Sequence, residues 1–342
     1  MGKRFIKNPT LRDVADLASV SVATVSRVLS GSKEIRVMPE TRHRIIATAN
    51  TLNYKPNLHA RSLQSSKTFS LALFVPVTGN PVFPEIIQGV EDGAQEMGYS
   101  VMIGHLDERA IENKTYINWV QENRVDGVIV ATARITDTVV EDLLRIGRPF
   151  VLVNRRAGNT NNHVTVDDTA GSKIAIDYLI TLGHRNIAHL CGPLMYDTAL
   201  RRLQGYRQSL SDHGLVYRNS LVEETDWFSW HEGKSAVEKI LAKGEPLTAI
   251  FAGNMMSAVG AVSALRRAGL DIPGDVSVLA LHDSPLAEIM EPPLTVVKMP
   301  LYQMGFKAAA SLIDRLEDRP PVGPICLQPI GLIVRGSTGP PK

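Results

Sequence analysis

The 342-residue sequence holds only two cysteines, Cys191 and Cys326. That excludes a disulfide framework or a thiolate metal centre and suits a reducing compartment. No stretch approaches the ~20 consecutive apolar residues of a membrane span, and the basic opening MGKRFIKNP is not followed by the apolar segment of a secretory signal. No Gly-x-Gly-x-x-Gly follows the first strand-like run. There is no phosphate-loop pattern, no Gly-x-Ser-x-Gly elbow and no metal-spaced His/Cys cluster. His184, His189 and His282 are scattered, and the first two read as structural. A nucleotide-using enzyme would lack a catalytic constellation, so neither enzyme activity, metal nor cofactor is expected.

What is present is a composition 44% hydrophobic and 21% charged, enough to bury a sizeable core and too long for one ordinary domain. The formal charge of +2 hides an asymmetry. Residues 1–66 carry eleven Lys/Arg against four acids, a net +7 that leaves −5 for the remainder. A basic end on an acidic chain points to a polyanionic partner, nucleic acid, for that end; a solvated basic surface is the alternative.

The basic end has a helical pattern. Thr10 suits an N-cap, with Asp13 three residues on as in a capping box, and Leu11, Val14, Ala15 and Ala18 recur at helical spacing. The run breaks at Ser19-Val20. Ser21 caps a second helix, Val22 to Leu29, ended by Gly31. Val25, Val28 and Leu29 are expected to pack on Val14 and Leu17, while Ala23, Ser26 and Arg27 face the other way. Pro39 opens a third helix with Ile45, Ala49 and Leu52 on its apolar face. Two short helices with a tight turn form a helix-turn-helix unit, whose second helix enters the major groove. On that helix Arg27 suits guanine O6 and N7, Val22 and Ala23 suit thymine methyls, and Thr24 and Ser26 suit phosphates or base edges. Surface Arg27 and core Val22 are the alternative. Tyr54-Lys55-Pro56-Asn57 then breaks the third helix. Leu58 to Leu63 follows as one or two marginal turns that could fold on DNA, with Leu63 as a minor-groove wedge and Ala60 one turn before it, or serve as a plain linker.

From residue 67 onward, apolar runs alternate with helical patterns. Strands are predicted at Leu71–Pro76, Tyr99–Leu106, Val125–Ala131, Phe150–Val153, Asn186–Cys191, Thr248–Ala252 and Val276–Leu281. Helices are predicted between them. Continuous Val/Ile/Leu strands mean parallel sheets covered on both faces, and their number predicts two lobes with a cleft. The pair Asp167-Asp168 opens a helix, as its dipole favours.

The runs Thr10-Leu11-Arg12-Asp13-Val14-Ala15, Val20 to Leu29, Asn53-Tyr54-Lys55-Pro56-Asn57 and Ala60-Arg61-Ser62-Leu63 closely resemble the lactose/galactose repressor (LacI/GalR) family. Asn80-Pro81-Val82-Phe83, Val125 to Ile129, Leu182 to Ile187, Gly205-Tyr206 and Pro292 to Thr295 resemble the two-lobed sugar-binding fold that this family shares with periplasmic binding proteins. The resemblance implies an all-α helix-turn-helix headpiece (1–55), a hinge helix and linker (56–68) and an α/β periplasmic-binding-protein-like core of two doubly wound parallel-sheet lobes (69–342). The first lobe is expected over 69–162 and 296–323, the second over 163–295 and 324–338.

The implied function is a sequence-specific DNA-binding regulator, a repressor, acting as a cytoplasmic, nucleoid-associated homodimer on a palindromic operator. Thr10, Ser21, Val22, Ala23, Thr24, Ser26, Arg27, Asn57, Ala60 and Leu63 would contact double-stranded DNA. Asn80, Phe83, Asn154, Arg155, Arg202, Phe228 (or its neighbours Trp227 and Trp230), Asn254 and His282 would contact a small-molecule effector, with Arg201 left on the helix surface. The C-terminus ends in GSTGPPK without a leucine heptad, so a dimer rather than a tetramer is expected. Departures from the family are Ser19 for the usual turn glycine, Met38 for the usual serine cap, Met255 for an aspartate and His282 for an aspartate that usually accepts from a sugar hydroxyl. The cleft thereby loses an anion, so the effector is expected to be anionic, a sugar acid or a phosphorylated metabolite; His282 donating to a hydroxyl is the alternative. A transport-type solute-binding protein without DNA function is the competing class.

Overall fold

The computed structural model describes residues 9–29, 37–54, 67–76, 79–106, 113–131, 134, 138–320 and 322–342. The chain divides into a unit from Met1 to Thr68 and a unit from Phe69 to Lys342.

The first unit holds α1 (Leu11–Leu17), α2 (Val22–Leu29) and α3 (Pro39–Thr51). Thr10 forms a complete capping box: its Oγ1 accepts from the Asp13 amide at 3.3 Å, and the Asp13 carboxylate accepts from the Thr10 amide at 2.7 Å. The turn to α2 passes through Ser19 at φ 52°, the left-handed conformation glycine adopts without strain. Val14, Ala15, Ala18, Val25, Val28, Ile45 and Ala49 form the three-helix core. Leu17 does not join it. It is 63% exposed, because Ala18 falls on the inward stripe with Val14 and Ala15 and turns Leu17 outward. Met38 makes no side-chain cap, and Pro39 starts α3.

In the second unit, the first sheet orders its strands β11-β5-β4-β3-β1-β2: β1 (Ser70–Val75), β2 (Ser100–His105), β3 (Gly127–Val130), β4 (Phe150–Val153), β5 (His163–Val166) and β11 (Ile325–Leu327). All its pairings are parallel. Helices α4 (Val82–Glu96), α5 (Thr115–Gln121), α6 (Thr138–Ile146) and α12 (Leu301–Leu316) accompany it. The second sheet orders β12-β10-β9-β8-β6-β7: β6 (Ile187–Leu190), β7 (Val222–Glu223), β8 (Ala249–Ala252), β9 (Ser277–Leu281), β10 (Thr295–Lys298) and β12 (Gly331–Ile333). It is parallel except where β12 runs antiparallel to β10. Its helices are α7 (Asp168–Thr181), α8 (Asp197–Asp212), α9 (Trp230–Ala242), α10 (Met255–Arg267) and the short α11 (Pro285–Ile289).

The central strands are buried along their whole length, which is why they read as unbroken apolar runs. The chain crosses between lobes later than the sequence suggested. β5 and β11 pair within the first sheet and β10 within the second, so residues 163–166 and 325–327 belong to the first lobe and 296–298 to the second. The edge strands β11 and β12 have half-exposed faces and are only three residues long, too short for an apolar run to say which sheet they join. Helix α12 crosses α4 closely. A Cβ on Gly89 would meet the Tyr302 carbonyl, and one on Gly305 the Ile86 carbonyl.

Candidate functional site

In the first unit, the Thr24 amide donates to Ser21 Oγ at 3.1 Å, and the two hydroxyls lie 2.8 Å apart. That capping fixes the start of α2. Thr10, Ser21, Val22, Ala23 and Arg27 are exposed, and Thr24 and Ser26 half-buried. Val22 is 43% exposed rather than in the core. One outward face thus presents a cation, hydroxyls and two small apolar side chains. Asn57, Ala60 and Leu63 lie outside the described residues.

In the second unit, the eight residues anticipated from the sequence, Asn80, Phe83, Asn154, Arg155, Arg202, Phe228, Asn254 and His282, line one cavity together with Val82 and Thr198. Asn80 precedes α4, where its Oδ1 accepts from the Val82 amide at 3.2 Å. Asn154 and Arg155 leave the C-terminal end of β4, and His282 that of β9. Asn154 and His282 each stand at φ 71°, a left-handed conformation sparsely occupied by side-chain-bearing residues and concentrated at functional sites. Arg202 comes from the second turn of α8. Asn254 N-caps α10, with Oδ1 accepting from the Ser257 amide at 3.0 Å and Nδ2 donating to Ser257 Oγ at 2.8 Å. Both polar ends of Asn254 are therefore held by the cap. Phe228, not Trp227 or Trp230, faces the cavity; the two tryptophans are 39% and 40% exposed. Gly192, at φ 77°, leaves room for the Phe228 ring where a Cβ would collide with it.

Behind the lining lies an ion-pair cluster. Arg202 Nε stands 2.7 Å from Asp168 Oδ1, Arg201 Nη1 2.7 Å from Asp168 Oδ2, and Arg201 Nε 3.0 Å from Asp197 Oδ2. Burial alone would raise the Asp168 carboxyl, but Arg202 and Arg201 hold it below the usual carboxylate range. Asp168 is thus a buried counter-ion, not merely a charge favoured by a helix N-terminus. Arg201 is not a surface residue either: Nη1 also donates to the Val166 carbonyl at 2.5 Å and Nη2 to the Asn154 carbonyl at 3.3 Å. The Arg156 amide donates to Asp197 Oδ1 at 2.9 Å, so α8 of the second lobe is tied to the chain leaving β4 of the first. The spacing Asp197–Arg201 is an i, i+4 ion pair that the sequence displays. Its burial, and the roles of Tyr196 and Asp168, had no sequence signal.

Arg155 is buried with its guanidinium 3.6 Å above the Tyr196 ring and 5.8 Å from the Phe228 ring. Burial lowers its pKa to about 10, against the opposing pull of Tyr196 and Asp197, so it stays cationic at neutral pH. His282 is pushed down to about 3 by burial and by Arg202. The space between these side chains is ≈ 20 Å³, room for about one water molecule. The cleft is filled by its own side chains. His184 and His189 are structural: His184 bonds Thr248, Ser277 and the Gly339 carbonyl, and His189 stacks between Tyr206 and Phe251.

The pattern described as "Bacterial regulatory proteins, lacI family" matches residues 10–57, and that of the "Periplasmic binding protein-like domain" matches residues 176–338. Catabolite control protein A of Priestia megaterium is 33% identical over 87% of this chain and 90% of its own length. The chain belongs to the LacI family. The HTH-type transcriptional repressor CytR of Escherichia coli strain K12 is 31% identical over 96% of both chains. Among solved structures, the Lac repressor dimer bound to operator and the anti-inducer ONPF is similar with a TM-score of 0.80 and 26% identity, over 97% of this chain and 100% of that one. As a LacI-family member the chain is a DNA-binding transcriptional regulator, and the transport-type reading is set aside. Among the described residues, no helix is long and apolar enough to cross a membrane.

Proposed function

We propose that this LacI-family chain is a repressor that binds a palindromic operator as a homodimer and whose operator affinity is set by a small metabolite bearing an anionic group, held between the lobes of the second unit. The observation that carries this is the cavity lining: residues from both lobes converge, two buried arginines among them, with no carboxylate among the described lining residues. A buried cation favours an anionic partner. Admitting a metabolite into ≈ 20 Å³ requires the lobes or Arg155 to move. The Arg156–Asp197 and Arg201–Asn154 bonds that join the lobes then break or shift. A ligand that binds one lobe arrangement better than the other shifts their populations, and operator affinity moves with it by linkage.

On the DNA side, Arg27 is assigned to a guanine, Val22 and Ala23 to thymine methyls, and Thr10, Ser21, Thr24 and Ser26 to the backbone or base edges. Two-fold symmetry of the dimer makes the operator a palindrome, and the place of action is the bacterial nucleoid. The test is selection of bound sequences from a random DNA pool by the purified protein, with and without a panel of sugars, sugar acids and phosphorylated sugars. A palindrome whose enrichment changes with an anionic member of the panel supports the proposal. Enrichment of no sequence under any condition would sink it.

A further inference from the structure

Each lobe brings to the cleft lining a buried polar atom with no hydrogen-bond partner among the described residues, His282 Nδ1 on the second and Asn154 Oδ1 on the first. Both residues are at least nine-tenths buried and both line the cavity. The protonation of His282 follows from its other nitrogen. Arg202 Nη2 lies 3.0 Å from His282 Nε2. A guanidinium only donates, so Nε2 accepts, and the neutral ring carries its proton on Nδ1. The cleft therefore offers an unsatisfied N–H donor from the second lobe and an unsatisfied carbonyl acceptor from the first. Leaving either unmet in a buried site is costly.

The charge sets the rest. The lining carries Arg155 and Arg202, and directly behind it stand Arg201, Asp168 and Asp197. Counting the lining arginines and the ion pairs linked to them, and leaving out Arg156, whose guanidinium turns to Thr165 and Cys326, three cations against two carboxylates leave one positive charge. A carboxylate, with charge −1, balances it; a phosphate monoester at neutral pH carries −1.5 to −2 and would bury excess negative charge.

We propose that the effector is a hydroxylated monocarboxylate of the sugar-acid class, read by His282 as a neutral N–H donor to the carboxylate and by Asn154 as an acceptor from a hydroxyl. This rests on the effector reading above and separates the sugar acids from the phosphorylated metabolites.

The test is titration calorimetry on the full-length protein with aldonates and uronates of five- and six-carbon sugars, the neutral parent sugars and their phosphate esters. One of the acids is expected to bind about 100-fold more tightly than its parent and its ester, in keeping with a charged hydrogen bond. His282→Asn keeps an N–H near the Nδ1 place and tolerates a left-handed backbone, and is expected to stay within about tenfold of the wild type. His282→Asp replaces the donor with an acceptor anion and is expected to lose the acid by about 100-fold or more. Repeating the wild-type titration in two buffers of different ionisation enthalpy counts protons. His282 faces Arg202 on α8 and Asp168 on α7, and no proton uptake is expected between pH 6 and 8. Tightest binding of a neutral sugar or phosphate ester, no binding of any acid, uptake of a proton, or unchanged acid affinity in His282→Asp each overturns the proposal. Should His282→Asp fail to fold, as seen by circular dichroism, the Asn variant and the proton count decide. Failure of DNA selection, measured separately, would instead strike the repressor reading while leaving the calorimetry intact.

Discussion

Asp168 concentrates the chemistry of the second unit in one side chain. It is fully buried between Arg201 and Arg202, and removing one member of a buried ion cluster leaves the others uncompensated. Asp168→Asn is expected to cost about 3–5 kcal/mol, read as a lowered midpoint in urea unfolding. An unchanged midpoint would show that the arginines find other partners. Its folded pKa lies below the unfolded value, so its contribution is present at neutral pH and lost as pH falls below the ordinary Asp range near 4. At the other end of the chain, Arg27 is the side chain whose loss should most affect specificity. Arg27→Ala is expected to weaken operator binding by about 1–3 kcal/mol and relax the preference at one base position in each half-site, measured by band shift on the selected operator and its single-base variants.

Among the elements, the turn between α1 and α2 and the crossing of α4 with α12 are the most exposed to single changes, in opposite directions. Ser19 sits at φ 52°, where a Cβ costs about 1–2 kcal/mol. Ser19→Gly is expected to raise the stability of the first unit by up to about 1 kcal/mol, once the greater freedom of glycine in the unfolded chain is subtracted. Amide exchange of the α1–α3 core reads this directly. Gly305→Ala drives a methyl into the Ile86 carbonyl, and overpacking of this kind costs about 1–3 kcal/mol or more. A thermal unfolding midpoint of the second unit equal to the wild type would mean that the helix pair slides freely. The family resemblance anticipated the unusual serine. Nothing in the sequence announced that α12 exists to pack on α4, because its partner lies some two hundred residues away.

For the whole molecule, histidine protonation sets a stability window. His163 and His184 have lowered pKa values because of burial, and burial drives His189 and His282 to about 3. Unfolded, each titrates near 6.5. Between that value and the folded one the unfolded chain binds protons that the native chain does not, so stability is intact above pH 6.5 and falls as pH drops. The slope approaches about 1.4 kcal/mol per pH unit for each fully neutral histidine. Urea midpoints measured from pH 8 to pH 5 are expected to decline through this window. A flat profile would mean these rings are hydrated in solution.

The sequence alone determined the class of each unit and most of the cleft. Helix periodicity, the Thr10 and Ser21 caps and the alternation of apolar strands with helices are local signals, carried by side chains whose burial follows from their position in the repeat. The family resemblance added the eight lining residues, which share one cavity although they are spread from residue 80 to residue 282. Tertiary structure decided what local pattern cannot encode. It turned Leu17 outward and sank Arg201 between the lobes. It assigned β5, β10 and β11 to their sheets. Through the single contact between Arg202 and His282, it also fixed which nitrogen of that histidine holds the proton. Each of these depends on which distant side chain arrives beside a given atom, a property of the packed chain and of no segment within it.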